Sequence, residues 1–411
     1  MRPPDLFIAS PALAECLARS THEPAAPGRG DPSGLEPFHH LAPGWEAEPR
    51  TEPAGHSLEL VHQDAVRLRR LVGEGGYGRR LRAATVVYRL EADGHQQTGL
   101  VVEGAVEDYR NGRIRRHEDT NPRRERLLAD FLSAAELELV PVSLVHPGRS
   151  RLASLLAEAA TEEPDLRLAS EDGLTQSAWV VRSAALERAI WAEVGVLDDV
   201  YIADGHHRMA AAARHAHAGV PGRSGDTAAG HVLCVLFPSD EMRVLGYHRG
   251  VARSGVPASD LLEAIAAQPV AERLEACEEV PRTAPGVVAV RLDGRWYRLR
   301  LRSRDAGADA RAALDIVALE DEVLRPLLEA GGAGSDARVT SVPGDIGAEG
   351  FADWCAQHDA VGFLVHPPTI EQIMAVSDAG SVMPAKSTWF EPKARAGPFV
   401  RDISAHVVGG R

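Results

Sequence analysis

Two pairs of short runs rich in apolar residues along the chain are typical of β-strands. Residues 84–90 (ATVVYRL) and 98–104 (TGLVVEG) flank a short polar turn, ADGHQ, and this pattern predicts paired strands. Residues 287–302 (VVAVRLDGRWYRLRLR) contain two alternating runs separated by Asp293-Gly294, a strong short-range hairpin signal. The sequence therefore predicts two β-hairpins.

Helical spacing of apolar residues appears between the predicted strands. Residues 57–72 have a broad apolar face, and Asn121-Pro122 supplies a cap and a first-turn proline for a helix from Pro122 to Leu132. Residues 198–204 (DDVYIAD) form an apolar run that leads directly into the alanine-rich helix 206–218. Strands that alternate with helices favour an α/β or α+β fold.

Proline and glycine content divides the chain into three predicted regions. Residues 1–55 form an irregular arm, because the segment 23–55 is crowded with Pro and Gly and has no period. Residues 56–225 form a core, and residues 226–411 form an additional mixed α/β region with further helices at 259–268, 315–330 and 369–380.

Composition and charge exclude several classes of protein. The 411 residues carry a formal net charge of −14, which disfavours general binding to nucleic acid. The four cysteines are scattered, so no zinc or disulfide pattern is indicated. No signal peptide and no apolar run of about 20 residues is recognisable. We expect a cytoplasmic protein that acts on a small molecule, without a nucleic-acid or membrane partner.

The segment Asp204 to Arg208 (DGHHR) stands where the apolar strand meets the helix. A helix N-terminus attracts anions, Gly205 permits close approach to the backbone, and Arg208 offers a planar fork for phosphate oxygens. His206 and His207 can donate hydrogen bonds, and Asp204 either holds Mg²⁺ or caps the helix. The composition predicts a phosphate-binding turn.

Two other interpretations of DGHHR use the same residues differently. A zinc site is disfavoured because adjacent helical positions diverge by about 100°, so His206 and His207 do not easily share one ion. A helix capped by Asp204, with two solvent-facing histidines, is the purely structural alternative.

The sequence resembles two related groups of proteins. IADGHHRMAAA is similar to a box of the ParB-like ATP/ADP-dependent free-serine kinases, which closes around nucleotide phosphates. A wider resemblance, to the prokaryotic domain-of-unknown-function family numbered one thousand and fifteen, rests on VVYRL, QTGLVVEGAVEDYRNGRIRRHEDT, YIADGHHRMAAA, GYHRGV and SVMPAKSTWFEPKARAGPFV, in that order. The resemblance implies a ParB/sulfiredoxin-like core. Relatives also have a PYD-like run near the start, which is absent here, and an aromatic residue where Met209 stands.

The HEDT segment offers the carboxylate that a kinase needs. Glu118 could accept the proton of a substrate hydroxyl while His117 orients it. The alternative is that Glu118 and Asp119 are acidic residues near a helix N-terminus, where the helix dipole stabilises them.

Two later blocks carry further candidate ligand-binding residues. His248 and Arg249 in GYHRGV follow an apolar run, as at a strand end that opens onto a ligand, and a surface His–Arg pair is the alternative. The block MPAKSTWFEPK has prolines that stiffen its backbone, and four of its residues suit a triphosphate: Lys386, Ser387, Thr388 and Lys393. Trp389 and Phe390 are more typical of core residues than of an adenine stack.

These residues together predict an ATP- or ADP-dependent kinase of a small hydroxylated metabolite, with Mg²⁺ at Asp204. The resemblance makes free L-serine, giving O-phospho-L-serine, the default substrate. A nucleotide-binding regulatory protein of ParB-like type, without small-molecule turnover, is the first alternative. A metal-dependent hydrolase built on the histidines is the second.

Overall fold

The computed structural model describes residues 1–10, 65–78, 80–218, 227–253, 255–302, 309–329 and 338–404. Most of the predicted N-terminal arm and the first part of the predicted helix 57–72 lie outside these ranges, and residues 65–73 are helical. The chain divides into two units. The first unit comprises residues 1–115, 120–242 and 392–411, and the second unit comprises residues 116–119 and 243–391.

This division differs from the linear boundary predicted near residue 225. Residues 227–242 and 392–404 belong to the first unit, whereas the four residues Arg116–Asp119 belong to the second. A single boundary along the sequence cannot show that the chain enters one unit, leaves it and enters it again, because unit membership depends on contacts between distant segments.

The described strands and helices follow in chain order. The strands are β1 (Leu6–Ile8), β2 (Val86–Ala92), β3 (His95–Ala105), β4 (Ile114–Arg115), β5 (Leu137–Glu138), β6 (Val142–His146), β7 (Leu166–Ala169), β8 (Thr175–Val180), β9 (Val200–Asp204), β10 (His231–Pro238), β11 (Arg243–Gly246), β12 (His248–Ala252), β13 (Ala271–Cys277), β14 (Val287–Leu292), β15 (Arg295–Leu301), β16 (Val339–Val342), β17 (Ala360–Leu364), β18 (Thr388–Glu391) and β19 (Phe399–Asp402). The helices are α1 (residues 65–73), α2 (Val106–Arg110), α3 (Pro122–Ala135), α4 (Ser150–Ala159), α5 (Ala184–Val194), α6 (His206–Ala218), α7 (Ala258–Ala266), α8 (Asp315–Leu319), α9 (Arg325–Glu329), α10 (Gly347–Gln357) and α11 (Ile370–Asp378).

The first unit is built around a mixed sheet. Its described strands lie in the order β4-β9-β6-β10-β3-β2-β8-β7. The pairs β4–β9 and β6–β10 are parallel and the others antiparallel. A smaller sheet, β1-β19-β5, includes Leu6–Ile8, so the predicted irregular arm begins with a short strand.

Both faces of this mixed sheet are covered by apolar side chains. Alternate residues of β2 enter different clusters: Val86, Tyr88 and Leu90 pack on one side, and Val87 packs on the other. The strands β3 and β10 divide in the same way. Burial on both faces explains why these strands are nearly continuous apolar runs rather than strict alternations.

The second unit contains an antiparallel sheet with the order β13-β15-β14-β17-β12-β16 and a two-stranded ribbon, β11-β18.

The predicted hairpins are confirmed, because β2 pairs with β3 and β14 with β15. Asp93-Gly94 and Asp293-Gly294, the residues at the two turns, all have positive φ. The mixed α/β fold class is also confirmed. No helix in the described ranges is long and apolar enough to cross a membrane.

Candidate functional site

The DGHHR segment forms a sharp turn between a buried strand and a helix. β9 ends at Asp204, α6 begins at His206, and Gly205 between them has a φ of 101°. This positive φ favours glycine, and a Cβ atom at position 205 would lie 2.8 Å from the Arg208 guanidinium, which would have to move. The turn therefore lies at the junction of a strand and a helix, as predicted.

Asp204 is the centre of an ion cluster at this turn. Its Oδ2 lies 2.5 Å from Nη2 of Arg208, and its Oδ1 lies 3.4 Å from Nζ of Lys393. Arg208 also donates to the carbonyl of Pro141 at 3.3 Å. Burial alone would raise the pKa of Asp204, but Lys393 and Arg208 outweigh it and hold the pKa well below its usual range. The carboxylate is therefore charged at neutral pH.

The two histidines of the turn have different surroundings. His206 is buried, whereas His207 is partly exposed and its Nε2 accepts a 3.0 Å hydrogen bond from the backbone N–H of Asn121. Asn121 also caps α3 as predicted, with its side chain accepting from the N–H groups of Arg123 and Arg124. The histidines are thus not equivalent solvent-facing residues, as the purely structural alternative supposed.

Lys393 and Lys386 are set apart by the composition of the chain. The sequence has 45 lysine and arginine residues, and only these two are lysines. An ammonium is a compact point charge with three rotatable donors, whereas a guanidinium is a planar fork, so the two are not interchangeable at a close contact. Both lysines of this arginine-rich chain stand in the MPAKSTWFEPK block.

In the second unit, His117 of the HEDT segment contacts the MPAKST segment. Nε2 of buried His117 lies 3.1 Å from Oγ1 of Thr388, and the N–H of Met383 donates to the carbonyl of His117 at 2.8 Å. Glu118 is partly exposed, and Asp119 lies 3.6 Å from Arg116. The role of Glu118 as a base stays a prediction.

His248 and Arg249 are buried, so the alternative of a surface His–Arg pair is wrong. His248 accepts from the N–H of Val365 at 3.3 Å and packs against Phe351. Burial, followed by the charge of Arg249, lowers the pKa of His248 to about 4, so its ring is neutral at pH 7. The guanidinium of Arg249 is surrounded by acceptors of its own unit.

The remaining residues of MPAKST form a tight turn. Ser387 is buried and its hydroxyl donates to the carbonyl of Pro384 at 2.6 Å. The ammonium of Lys386 lies 5.5 Å from the centre of the Tyr247 ring. Phe390 is a core residue, whereas Trp389 is partly exposed and packs edge-on against Tyr247.

The arrangement around Asp204 does not fit a directly bound Mg²⁺ ion. Both carboxylate oxygens face cations, whereas Mg²⁺ would need at least one of them as a ligand. Within the described ranges, no group of three or more His, Cys, Asp or Glu residues is placed to hold a metal. Asp204 therefore acts as the anchor of two cations in this structure.

The structure thus gathers the predicted residues into two sets. Asp204, Gly205, Arg208 and Lys393 lie together in the first unit. In the second unit His117 contacts Thr388, and Arg249 contacts the backbone of Lys386.

Comparison with known proteins adds a family and several distant structures. A family model described as "Protein of unknown function (DUF1015)" matches residues 45–319. A mutant free serine kinase in complex with ADP has 13% sequence identity and a TM-score of 0.37, over 75% of this chain and 92% of that chain. None of the curated proteins matches the sequence.

Two further solved structures have a similar degree of likeness. A conserved hypothetical protein from Pyrococcus furiosus has 13% identity and a TM-score of 0.35, over 72% of this chain and 93% of that chain. SbnI with a C-terminal truncation, from Staphylococcus aureus, has 13% identity and a TM-score of 0.37, over 72% of this chain and 87% of that chain.

Proposed function

The chain belongs to the DUF1015 family of proteins of unknown function, and we propose that it is an ATP- or ADP-dependent kinase of a small hydroxylated metabolite. The observation that supports this proposal is the cation cluster at the strand-to-helix turn of the first unit, where Arg208 and Lys393 flank Asp204. The default acceptor is free L-serine, on the resemblance of IADGHHRMAAA to the box of the free-serine kinases.

The charges of the turn suit a phosphate. Arg208 and Lys393 place two positive charges beside the negative charge of Asp204. The N-terminus of α6 adds backbone N–H groups and the positive end of the helix dipole. Asp204 would hold both cations in place, and charged N–H donors of this kind suit the oxygens of a phosphate.

Phosphoryl transfer requires positioning and charge neutralisation more than a strong base. In the proposed reaction the hydroxyl oxygen of serine bonds to the terminal phosphorus, the bond from that phosphorus to the nucleotide breaks, and the hydroxyl proton passes to a carboxylate. Glu118 is the proposed proton acceptor, on sequence grounds.

The direct test is ³¹P NMR of the protein with Mg-ATP or Mg-ADP and a pool of L-serine, other amino acids and small alcohols. A new phosphomonoester signal that Glu118→Gln abolishes is the expected result. Nucleotide that binds without ever being consumed, with any member of the pool, would instead favour a nucleotide-binding regulatory protein.

Removal of Arg208 tests the phosphate-binding turn itself. Arg208→Ala should weaken nucleotide binding by roughly 1.5–3 kcal/mol, as measured by isothermal titration calorimetry, because a charge-assisted hydrogen bond to phosphate is lost. The matched control is Arg182→Ala, which removes an exposed arginine of the same unit that pairs with Asp165. Equal affinities of the two folded variants would refute the assignment.

A further inference from the structure

The guanidinium of Arg249 is held by a carboxylate and by backbone carbonyls within the second unit. Arg249 is completely buried, and Oε1 of Glu320 lies 2.7 Å from its Nε and 2.6 Å from its Nη2. Nη1 also donates to the carbonyl oxygen of Tyr247 at 3.3 Å. Every nitrogen of the guanidinium therefore has an acceptor in its own unit, so a phosphate is not needed to satisfy it.

The same guanidinium fixes the backbone of the MPAKS turn. Nη1 donates to the carbonyl of Lys386 at 2.9 Å, and Nη2 donates to the carbonyl of Ala385 at 3.2 Å. Arg249 thus joins β12 to two successive peptide groups of a loop that follows it by more than a hundred residues. Hydrogen bonds from a buried charged donor are stronger than neutral ones, so this link constrains the loop.

Lys386 has a backbone conformation that needs such support. Its φ is 57°, in the left-handed region that side-chain-bearing residues rarely adopt. Its ammonium lies 5.5 Å from the centre of the Tyr247 ring, within the range of a cation–π contact. Residues held in such sparsely populated conformations by their surroundings cluster at active sites and ligand-binding segments.

Glu320 links the loop to an irregular helix. It is the first residue of a π-helical stretch, Glu320–Leu324, between α8 and α9, and its side chain is 28% exposed. π-Helical turns are uncommon and often occur at functional sites. The carboxylate neutralises Arg249, which otherwise would be a buried charge without a counterion.

We infer that Arg249 and Glu320 form a clamp that positions the ammonium of Lys386 for a phosphate-bearing ligand. Lys386 is the ligand-contacting residue in this inference, and Arg249 and Glu320 act through it as positioning residues. The clamp itself rests on the contacts above, and its ligand rests on the proposed function.

The scarcity of lysine makes the clamp directly measurable. Reductive methylation with ¹³C-formaldehyde labels Lys386, Lys393 and the N-terminal amine of the full-length chain, so few NMR signals arise. Lys386→Arg assigns its own signal by removing it. Glu320→Gln and Arg249→Gln should each shift or broaden the Lys386 signal and leave the Lys393 signal unchanged. Asp359→Asn, which removes one of the two carboxylates beside Arg253 in the same unit, is the matched control.

Affinity for Mg-ATP separates a positioning role from a merely structural one. We expect Glu320→Gln to raise the Kd at least fivefold, while Asp359→Asn leaves it unchanged and circular dichroism shows both variants to be folded. An unchanged Lys386 signal in both clamp variants overturns the clamp. A lowered Tm with an unchanged Kd overturns the positioning role. A wild-type protein that does not bind the nucleotide contradicts the proposed function, while the NMR comparison still decides the clamp.

Discussion

At the scale of single residues, the candidate site depends on how charges are paired around Asp204. The carboxylate is partly buried and accepts from an arginine four residues later and from a lysine near the C-terminal end of the chain. Because its pKa lies well below the usual range, the carboxylate keeps its charge across the neutral pH range and can pair with both cations there.

Gly205 is the residue of this turn with the least tolerance for substitution. Gly205→Ala should weaken nucleotide binding at least tenfold, because the added methyl group would displace the Arg208 guanidinium and strain the backbone. Titration calorimetry measures the effect. Gly173→Ala is the control, since Gly173 also has positive φ, at 87°, but its Cβ would meet nothing within 4 Å. Similar losses in both variants would assign the effect to general strain.

His248 should make stability fall as the pH falls. Its pKa is about 4 in the folded protein and near 6.5 when unfolded, so its contribution is present above pH 6.5 and is lost on acidification. At pH 5 this linkage costs about 2 kcal/mol relative to pH 7. His248→Gln keeps an acceptor for the Val365 N–H and does not titrate. Urea unfolding should show a smaller loss between pH 7 and pH 5 in this variant, and an identical loss would contradict the prediction.

At the scale of elements, two glycines allow α10 to pack closely against the sheet of the second unit. Gly250 of β12 and Gly362 of β17 are opposite each other in the sheet register. A Cβ at position 250 would lie 2.1 Å from the Trp354 ring, and one at position 362 would lie 2.3 Å from Sγ of Cys355. The absence of side chains on adjacent strands allows the indole to lie against the backbone.

Gly250→Ala should destabilise the protein by roughly 1–3 kcal/mol, because the methyl group would overlap the indole of Trp354. Chemical unfolding measures the change. Trp354→Leu provides space, so the double variant should be more stable than the sum of the two single effects predicts. Strict additivity would show that the overlap is not the cause.

At the scale of the whole molecule, a buried ion network joins distant segments of the first unit. Arg401 of β19 is fully buried and lies 2.7 Å from Oε1 of Glu103 and 2.7 Å from Oε2 of Glu138, while Arg2 lies 2.6 Å from Oε2 of Glu103. Burial raises the pKa of Glu138 despite Arg401, whereas Arg401 and Arg2 overcome burial and lower the pKa of Glu103.

Arg401→Met should destabilise the protein by about 3–5 kcal/mol, because it leaves two carboxylates buried without their shared partner. Urea unfolding at pH 8 measures the loss. The double variant Arg401→Met with Glu138→Gln should recover part of it, since one uncompensated charge is then removed. A double variant that is no more stable than Arg401→Met alone would contradict this account.

The hairpin turns, the start of α3 and the junction of β9 with α6 were predictable from the sequence, because each is stabilised by residues that are close neighbours along the chain. Asp93-Gly94 and Asp293-Gly294 predict hairpins because a turn is decided by the backbone preferences of its own residues. Asn121-Pro122 predicts the start of α3 for the same reason, since the cap bonds form within three residues. The junction of β9 and α6 is likewise visible in DVYIADGHHR.

The sequence by itself determined the mixed α/β class, the hairpins and the DGHHR turn, because these follow from periodicity and from contacts between near neighbours. Only the tertiary structure decided that Lys393 meets Asp204, that Arg249 is buried against Glu320, and that His117 lies beside Thr388 within the second unit. These contacts join residues about 70 to 270 positions apart, and no local preference encodes which distant charge will neutralise a buried one.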